Sequence, residues 1–514
     1  MSFIYITKRA LRGNFFFLVG TFVFLSGSLY SQYIFDDKCQ KAYQEILMFR
    51  FQKANELLHQ ERDEHPDNLL PVFLENYIDF FKLFTGEDKL VFENLKRNKS
   101  DRLNIIERGD KNSPYYRYCI AGITLQWAFV RIKFGEYTTA AFEIRKAYIL
   151  LSENEKLFPD FLPNQIGLGI LHIIVGLVPE KYQWLVNLAG FEGTIKEGVS
   201  ELNSVLEYNG NNPVFLLFKP EACFYLAFVD VNLLNNKKES LSLIKRFDND
   251  LYLQEFKQSP LIIYAKSSIY MKNGRNDEVI ALLQDYHPLP NTYPFVFLTY
   301  LEGIARLNRL DTSAIIFLNR FINEFAGINY IKAGYQKLAW SYLLQDDTLA
   351  YRKEIEKAGT KGNSIVDEDK QALSEYNVGI IPAIPLLKAR LLFDGGYYHD
   401  ALKVLLNTSL ESYLHSKKDL TEYSYRLGRI YHALGNMPKA IQYYTSTIVN
   451  GRNLPHYFAA NAALNLGWIY EEEGNYVAAD INFRLCASMK YDEYENSLRQ
   501  KAKAGLSRLK NIQN

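Results

Sequence analysis

The sequence predicts an all-α fold: an array of stacked helical hairpins, an α-solenoid, that follows an N-terminal signal segment. Three observations carry this. Helical periodicity dominates from Asp36 onward and strand alternation is nearly absent. Small residues recur at a fixed interval in the C-terminal third. Hydrophobic residues make up 48% of a 514-residue chain, which is too long for one ordinary core and apolar enough for an extended one.

The first element is the signal. Lys8, Arg9 and Arg12 form a basic region, Asn14 to Leu25 (NFFFLVGTFVFL) an apolar core, and Ser26-Gly27-Ser28 and Ser31-Gln32 offer small residues for cleavage. Residues 1–31 therefore read as a signal peptide cut after Ser28 or Ser31, or as an N-terminal anchor if uncut. The nearest cysteine, Cys39, is too far on for a lipoprotein anchor. The expected location is outside the cytoplasm, periplasmic or envelope-associated, with membrane contact only if the segment stays uncleaved.

The repeats come next. Leu427-Gly428-x-x-Tyr431 is followed by Gly435, Ala440 and Tyr444, and Leu466-Gly467-x-x-Tyr470 by Gly474, Ala479 and Phe483. An earlier copy places Ala389, Gly396, Ala401 and Leu405 at the same offsets, so the small residue recurs every 39 positions (428−389 and 467−428). A small residue lets two helices approach, a glycine seven positions on ends the first helix in the left-handed conformation, and an alanine and an aromatic pack the second helix back. This pattern resembles the tetratricopeptide repeat, whose usual period is about 34, so longer helices or turns are expected here. The proline that often closes such a repeat is absent at Arg452 and Tyr491.

Weaker copies lie upstream, at Ala128 with Gly135, Ala140 and Ile144, at Ser267 with Tyr270, Gly274 and Leu283, at Gly303, and at Ala339 with Tyr342. Ala54, Leu58 and Pro66 read as the second helix of a first repeat, and Ser497 to Leu509 as a capping helix. The organisation expected is helical repeats over 36–160, a special hairpin over 161–210, central repeats over 211–360 and C-terminal repeats over 380–514. Polar stretches at Asn94 to Pro114, Asn209 to Pro213 and Gly359 to Asn377 read as breaks, the last as a seam.

The special hairpin, QIGLGILHIIVGLVPEKYQWLVNLAGFEGTIKEGVSEL, spans Gln165 to Leu202. Its apolar run from Ile166 to Val178 is short for a membrane span and Gly167-x-Gly169 lacks the third glycine of a dinucleotide loop. A helix stopped near Pro179, a second through Trp184, a Gly190-Phe191-x-Gly193 turn with Phe191 as its plug, and a helix ending at Leu202 are expected. Gly167, Gly169, Leu177, Pro179, Gly190, Phe191, Gly193, Gly198 and Leu202 together resemble the hallmark of the tetratricopeptide repeat protein 39 family, which includes a fungal outer-membrane protein of inclusion-body clearance. The resemblance implies the helical-repeat fold with this hairpin. Thr194 stands where that family has an acidic residue, and Val178 separates Leu177 from Pro179.

No catalytic constellation stands out. The eight histidines include no pair four apart on a helix and none beside a cysteine, so no metal centre is expected, and His172 reads as a hydrogen-bonded core residue. The four cysteines allow two disulfides in three pairings but read as buried thiols. Asp367-Glu368-Asp369 reads as a solvated acidic loop, and the pairs Tyr397-Tyr398 and Tyr443-Tyr444 as hairpin packing. Lys+Arg (59) and Asp+Glu (58) leave +1, which argues against a nucleic-acid binder working by bulk charge. The function expected is a non-enzymatic scaffold without cofactor that holds a protein or peptide in its concave face. The alternatives are a small-molecule binder or enzyme with a pocket at the 166–202 hairpin, and a membrane-associated structural module.

Overall fold

The same turn closes eight hairpins along the chain in the computed structural model, which describes residues 32–177, 193–231, 237–412, 414–491 and 495–513. Seven positions after each small residue the backbone is left-handed, at Phe49, Gly135, Gly274, Leu310, Asp346, Gly396, Gly435 and Gly474, with φ from 57° to 87°. The next residue's N–H then donates back to a carbonyl five positions earlier, at 2.8 to 3.1 Å in all eight cases. These are the reverse bonds that satisfy orphan carbonyls at a helix end. Tyr431 and Tyr470 supply two of those carbonyls.

The N-terminal body contains α1 (Asp37–Leu47), α2 (Phe51–Glu64), α3 (Leu70–Gly86), α4 (Lys89–Leu95), α5 (Asn98–Ile106), α6 (Pro114–Lys133), α7 (Tyr137–Leu157), α8 (Asn164–Leu177) and α9 (Ile195–Leu206). It continues through α10 (Pro213–Leu216), α11 (Lys219–Val229), α12 (Lys237–Asn249), α13 (Leu251–Gln254) and α14 (Pro260–Lys272). The central hairpins add α15 (Asn276–Gln284), α16 (Phe297–Asn308), α17 (Ala314–Glu324), α18 (Ile331–Leu343), α19 (Thr348–Thr360) and α20 (Asp367–Val378). The C-terminal array is α21 (Ile384–Asp394), α22 (Tyr398–Asn407), α23 (Lys417–Ala433), α24 (Met437–Gly451), α25 (Phe458–Glu472), α26 (Tyr476–Ser488) and α27 (Glu495–Gln513). Three apolar cores follow one another along the chain, from Tyr33 to Ile269, from Ile263 to Leu391 and from Leu386 to Leu509. Among the described residues there is no strand, only one parallel bridge between Gln32 and Asn68. No helix among them is long and apolar enough to cross a membrane.

The packing explains the small residue. A Cβ at Gly428 would lie 2.7 Å from Tyr444 and one at Gly467 would lie 2.5 Å from Phe483, the aromatic sixteen positions on in each case. A Cβ at Gly505 in α27 would meet the other side of Phe483 at 2.6 Å, so the capping helix repeats the glycine–aromatic contact. Ala440 and Ala479 are fully buried where the second helix crosses the first. The repeat length is not constant: the central small residues are 36 apart (303−267 and 339−303).

Three expectations need correction. The acidic run Asp367-Glu368-Asp369 is not a solvated loop but the first turn of α20, where carboxylates favour the helix dipole. Asp369 is fully buried and accepts from the backbone N–H groups of Tyr330 (2.7 Å) and Ala333 (2.9 Å), which begin α18. The break expected at Asn94 to Pro114 holds α5, and the helix expected to end at Leu202 runs to Leu206. The four cysteines are buried free thiols, whose pKa burial raises at Cys223 to about 12.

Gly428→Val places a branched side chain against Tyr444. It is expected to lower stability by about 1–3 kcal/mol without altering a remote site, and unchanged thermal unfolding would show that the helix contact is not there.

Candidate functional site

The first helices of successive hairpins, α14, α16, α18, α21, α23 and α25, turn one side toward a shared concavity of about 1090 Å³. The repeat register selects what they present. One position after the small residue stand Arg390, Arg429 and Trp468, four after it Phe393 and His432, and five after it Asp394, Ala433 and Glu472; all line the groove. The array curls until two turns touch. A Cβ at Gly396 would lie 1.8 Å from the Gly274 carbonyl oxygen, so only glycine fits at this contact. Around it, Asn276 Nδ2 donates to Tyr397 Oη (3.2 Å) and to the Ala305 carbonyl (2.6 Å), and Tyr397 Oη donates to Asp277 (2.7 Å).

Cations in the groove lie on aromatic faces. Lys337 Nζ is 3.7 Å from the Trp340 ring centre and donates to Gln336 Oε1 (2.8 Å). The Arg390 guanidinium covers the same indole at 4.8 Å, and Arg429 covers Phe393 at 3.9 Å. Asp394 lies 3.6 Å from Arg429 and 3.9 Å from Arg390. Burial, with Arg390 beside it, pushes the Lys337 ammonium down to about 7. Glu368 and Glu472 add negative charge, so the wall is mixed in sign with aromatic anchors. None of Lys337, Trp340, Arg390 or Trp468 stands out as a motif, yet the 39-residue register places Arg390, Arg429 and Trp468 at one helical position. Tyr398 and Tyr444 also line the groove, whereas Tyr443 stacks on Tyr431 at 5.6 Å.

The special hairpin is a separate feature locked by glycine. A Cβ at Gly198 would lie 2.3 Å from the Gly169 carbonyl oxygen, and one at Gly169 2.9 Å from that of Gly198, so α8 and α9 cross at backbone contact. Gly167 leaves room for Leu151, and Gly193 for the ring of His172. His172 Nδ1 is bonded to Glu201 at 2.7 Å, an interaction that raises its pKa. Thr194 is the N-cap of α9. Its hydroxyl caps the Glu197 N–H while Glu197 bonds back to the Thr194 N–H, a complete capping box at the start of α9. Pro179, Gly190 and Phe191 lie outside the described residues.

Beside α8 a cavity of about 30 Å³, lined in part by Ile166, Gly167 and Ile170, reaches the buried Glu221. Tyr43 Oη donates to Glu221 at 2.5 Å and Tyr77 Oη at 3.3 Å. Burial raises the Glu221 pKa to about 7, against the hydrogen bonds from Tyr43, Tyr77 and Tyr225. Such a cavity holds about one water and no substrate. The carboxyl joins α1, α3 and α11 as a polar strut.

Comparison with known proteins places one of these hairpins. Residues 424–455, which cover most of α23 and all of α24, match the tetratricopeptide repeat family. Among solved structures, a monomeric mutant of IFIT1 with Gppp-AAAA is similar at 13% identity with a TM-score of 0.33, covering 93% of this chain and 95% of that one. No curated protein matches the sequence. The chain is an all-α array of tetratricopeptide-like hairpins, of which the α23–α24 pair carries the recognisable signature.

Glu221 also sets a pH response. Between pH about 4.5 and 7 the folded chain holds its proton and the unfolded chain has lost it, so stability falls as pH rises through that window, by up to roughly 1.4 kcal/mol per pH unit. Glu221→Gln is expected to reduce this slope, the remainder coming from Asp230, which burial raises to about 7, and Asp369, which burial raises to about 6. A variant whose melting temperature tracks pH as the wild type does would show that another group is responsible.

Proposed function

We propose that this chain is a non-enzymatic scaffold that binds a protein or peptide partner in the groove formed by α14, α16, α18, α21, α23 and α25. One observation carries the reading. Equivalent positions of successive repeats deliver Arg390, Arg429 and Trp468 to the same concave wall, the arrangement by which a repeat array reads an extended ligand. Aromatic and arginine side chains are the residues that most often dominate binding energy in such interfaces. Among the described residues of the 166–202 hairpin, the cavity beside Glu221 is too small for a substrate. The likeness to the tetratricopeptide repeat protein 39 family belongs to this proposal, supported by the close packing at Gly167, Gly169, Gly193 and Gly198. So does export, which rests on the basic, apolar and small-residue order of Met1 to Ser31.

Arg429→Gln combined with Trp468→Ala is expected to weaken partner binding by roughly 30-fold or more, with thermal unfolding measured alongside because Arg429 covers Phe393 beside Asp394 and Trp468 packs on the C-terminal core. Val477, 71% exposed on α26, supplies the control, since Val477→Ser lies outside the groove. Equal recovery of partners from the native host by all three proteins would place the binding surface elsewhere. For export, N-terminal sequencing of the native protein is expected to begin near Leu29 or Gln32, and a soluble chain that retains Met1 would count against it.

A further inference from the structure

We infer that Asp36, Glu61 and His65 form a binding site for one divalent transition-metal cation where α1 and α2 meet. One ligand atom from each residue lies within 4.8 Å of the other two. Donors that share an ion at about 2.1 Å sit roughly 3–4 Å apart, so a small closure of these side chains suffices. The elements fix all three. Asp36 is the N-cap of α1, where its Oδ1 accepts the Cys39 N–H at 2.8 Å. Glu61 is on the last turn of α2, and His65 is the residue that ends that helix, four positions on.

Glu61 is the reason to expect a ligand. It is 1% exposed, and its two oxygens have different fates. Oε1 accepts from Asn68 Nδ2 at 2.9 Å and lies 3.1 Å from His65 Nδ1. Oε2 is buried with no hydrogen-bond partner. The nearest ammonium, Lys38, is 4.0 Å away, beyond hydrogen-bond reach, and engages Glu64 instead. The Asp36 carboxyl faces Glu61 across the same space. Two carboxyls converge on this buried oxygen, offset among the described residues only by Lys38 at 4.0 Å and, when it is protonated, by His65 at 3.1 Å on the other oxygen, and a buried charge left uncompensated is costly.

Two carboxylate oxygens and one imidazole nitrogen suit Zn²⁺ or a similar borderline ion. They do not suit Ca²⁺, which takes about six to eight oxygens. Asn68 provides the outer support, holding Glu61 Oε1 while its own side chain bonds Ile34 on both sides, with Oδ1 accepting the Ile34 N–H (3.0 Å) and Nδ2 donating to the Ile34 carbonyl (2.9 Å). An ion here would fasten the segment before α1 to the α2–α3 junction. No histidine pair marks the site in the sequence, because its one histidine is joined by a glutamate four residues back and by an aspartate from the segment before α1.

The test uses the full chain, stripped with a chelator and titrated with Zn²⁺ by calorimetry and thermal unfolding, with Ca²⁺ in a parallel arm. One Zn²⁺ per chain and a rise in melting temperature are expected. His65→Ala, at a half-exposed position that leaves the fold intact, and Asp36→Asn are each expected to weaken Zn²⁺ binding about tenfold or more. Equal Zn²⁺ affinity in wild type and His65→Ala, or an equal response to Ca²⁺, would overturn the assignment. A wild type indifferent to Zn²⁺ beside a more stable Glu61→Gln variant would overturn it too, and would leave Lys38 as the counter-charge of a strained carboxyl pair.

Discussion

The groove is closed at one end where two turn glycines distant in sequence touch. With a Cβ at Gly396 only 1.8 Å from the Gly274 carbonyl oxygen, the contact admits no side chain, and both residues have φ that glycine alone adopts cheaply. A repeat array without such a contact is an open coil whose hairpins touch only their neighbours. Here α14–α15 meets α21–α22, hairpins whose contacting residues Asn276 and Tyr397 are 121 apart. The walls of the cavity are then set by geometry rather than by local attraction between the groups that face it. Cations and carboxylates share the wall, with Lys337 and Arg390 on the Trp340 ring, Arg429 on Phe393, and Asp394 between the two arginines.

A second closure joins the N-terminal body to the central hairpins through Glu87. Its backbone is left-handed at φ 50°. Its carbonyl accepts from the Ile328 N–H at 3.2 Å, one carboxylate oxygen accepts from Asn329 Nδ2 at 2.6 Å, and the other pairs with Lys133 at 2.7 Å. The Tyr293 N–H also reaches the Phe49 carbonyl at 2.7 Å. Both Glu87 and Phe49 occupy turns, so the carbonyls released where helices end are those that receive bonds from elsewhere in the array. Turn chemistry and long-range assembly are one device in this fold.

The hairpins whose turn is glycine were legible from the sequence, because glycine marks left-handed backbone. Phe49, Leu310 and Asp346 adopt the same conformation with a side chain; Gly303 and Ala339 mark two of these hairpins in the sequence, but nothing local announces the left-handed residue itself. Phe49 shows how the cost, about 1 kcal/mol or more, is offset. It is fully buried, with its ring against Phe51, Phe81 and Phe295. The turn there is stabilised by residues that arrive from α3 and from the segment before α16, which no local pattern contains. The same holds for α20. Its acidic start looks solvated until Asp369 is seen to supply the acceptors that α18 lacks at its own N-terminus, where Tyr330 holds φ 63° and offers no side-chain cap.

The candidate groove was half legible for a related reason. A 39-residue period fixes which side of each first helix is repeated, and Arg390, Arg429 and Trp468 follow from adding one to the small positions. What the period does not reveal is which side is concave, since both sides of the helix repeat equally. That depends on the closure at Gly274, which belongs to a copy with a 36-residue spacing to its successor and so falls outside the strict period. The special hairpin behaves in the opposite way. Its glycines were conspicuous, and they resolve into sterics: Gly169 and Gly198 for the helix crossing, Gly167 for Leu151 and Gly193 for His172. Conspicuous glycines thus mark where backbone must approach something, and the chemistry that a partner would meet is carried by the arginines and tryptophans that the repeat leaves free to vary.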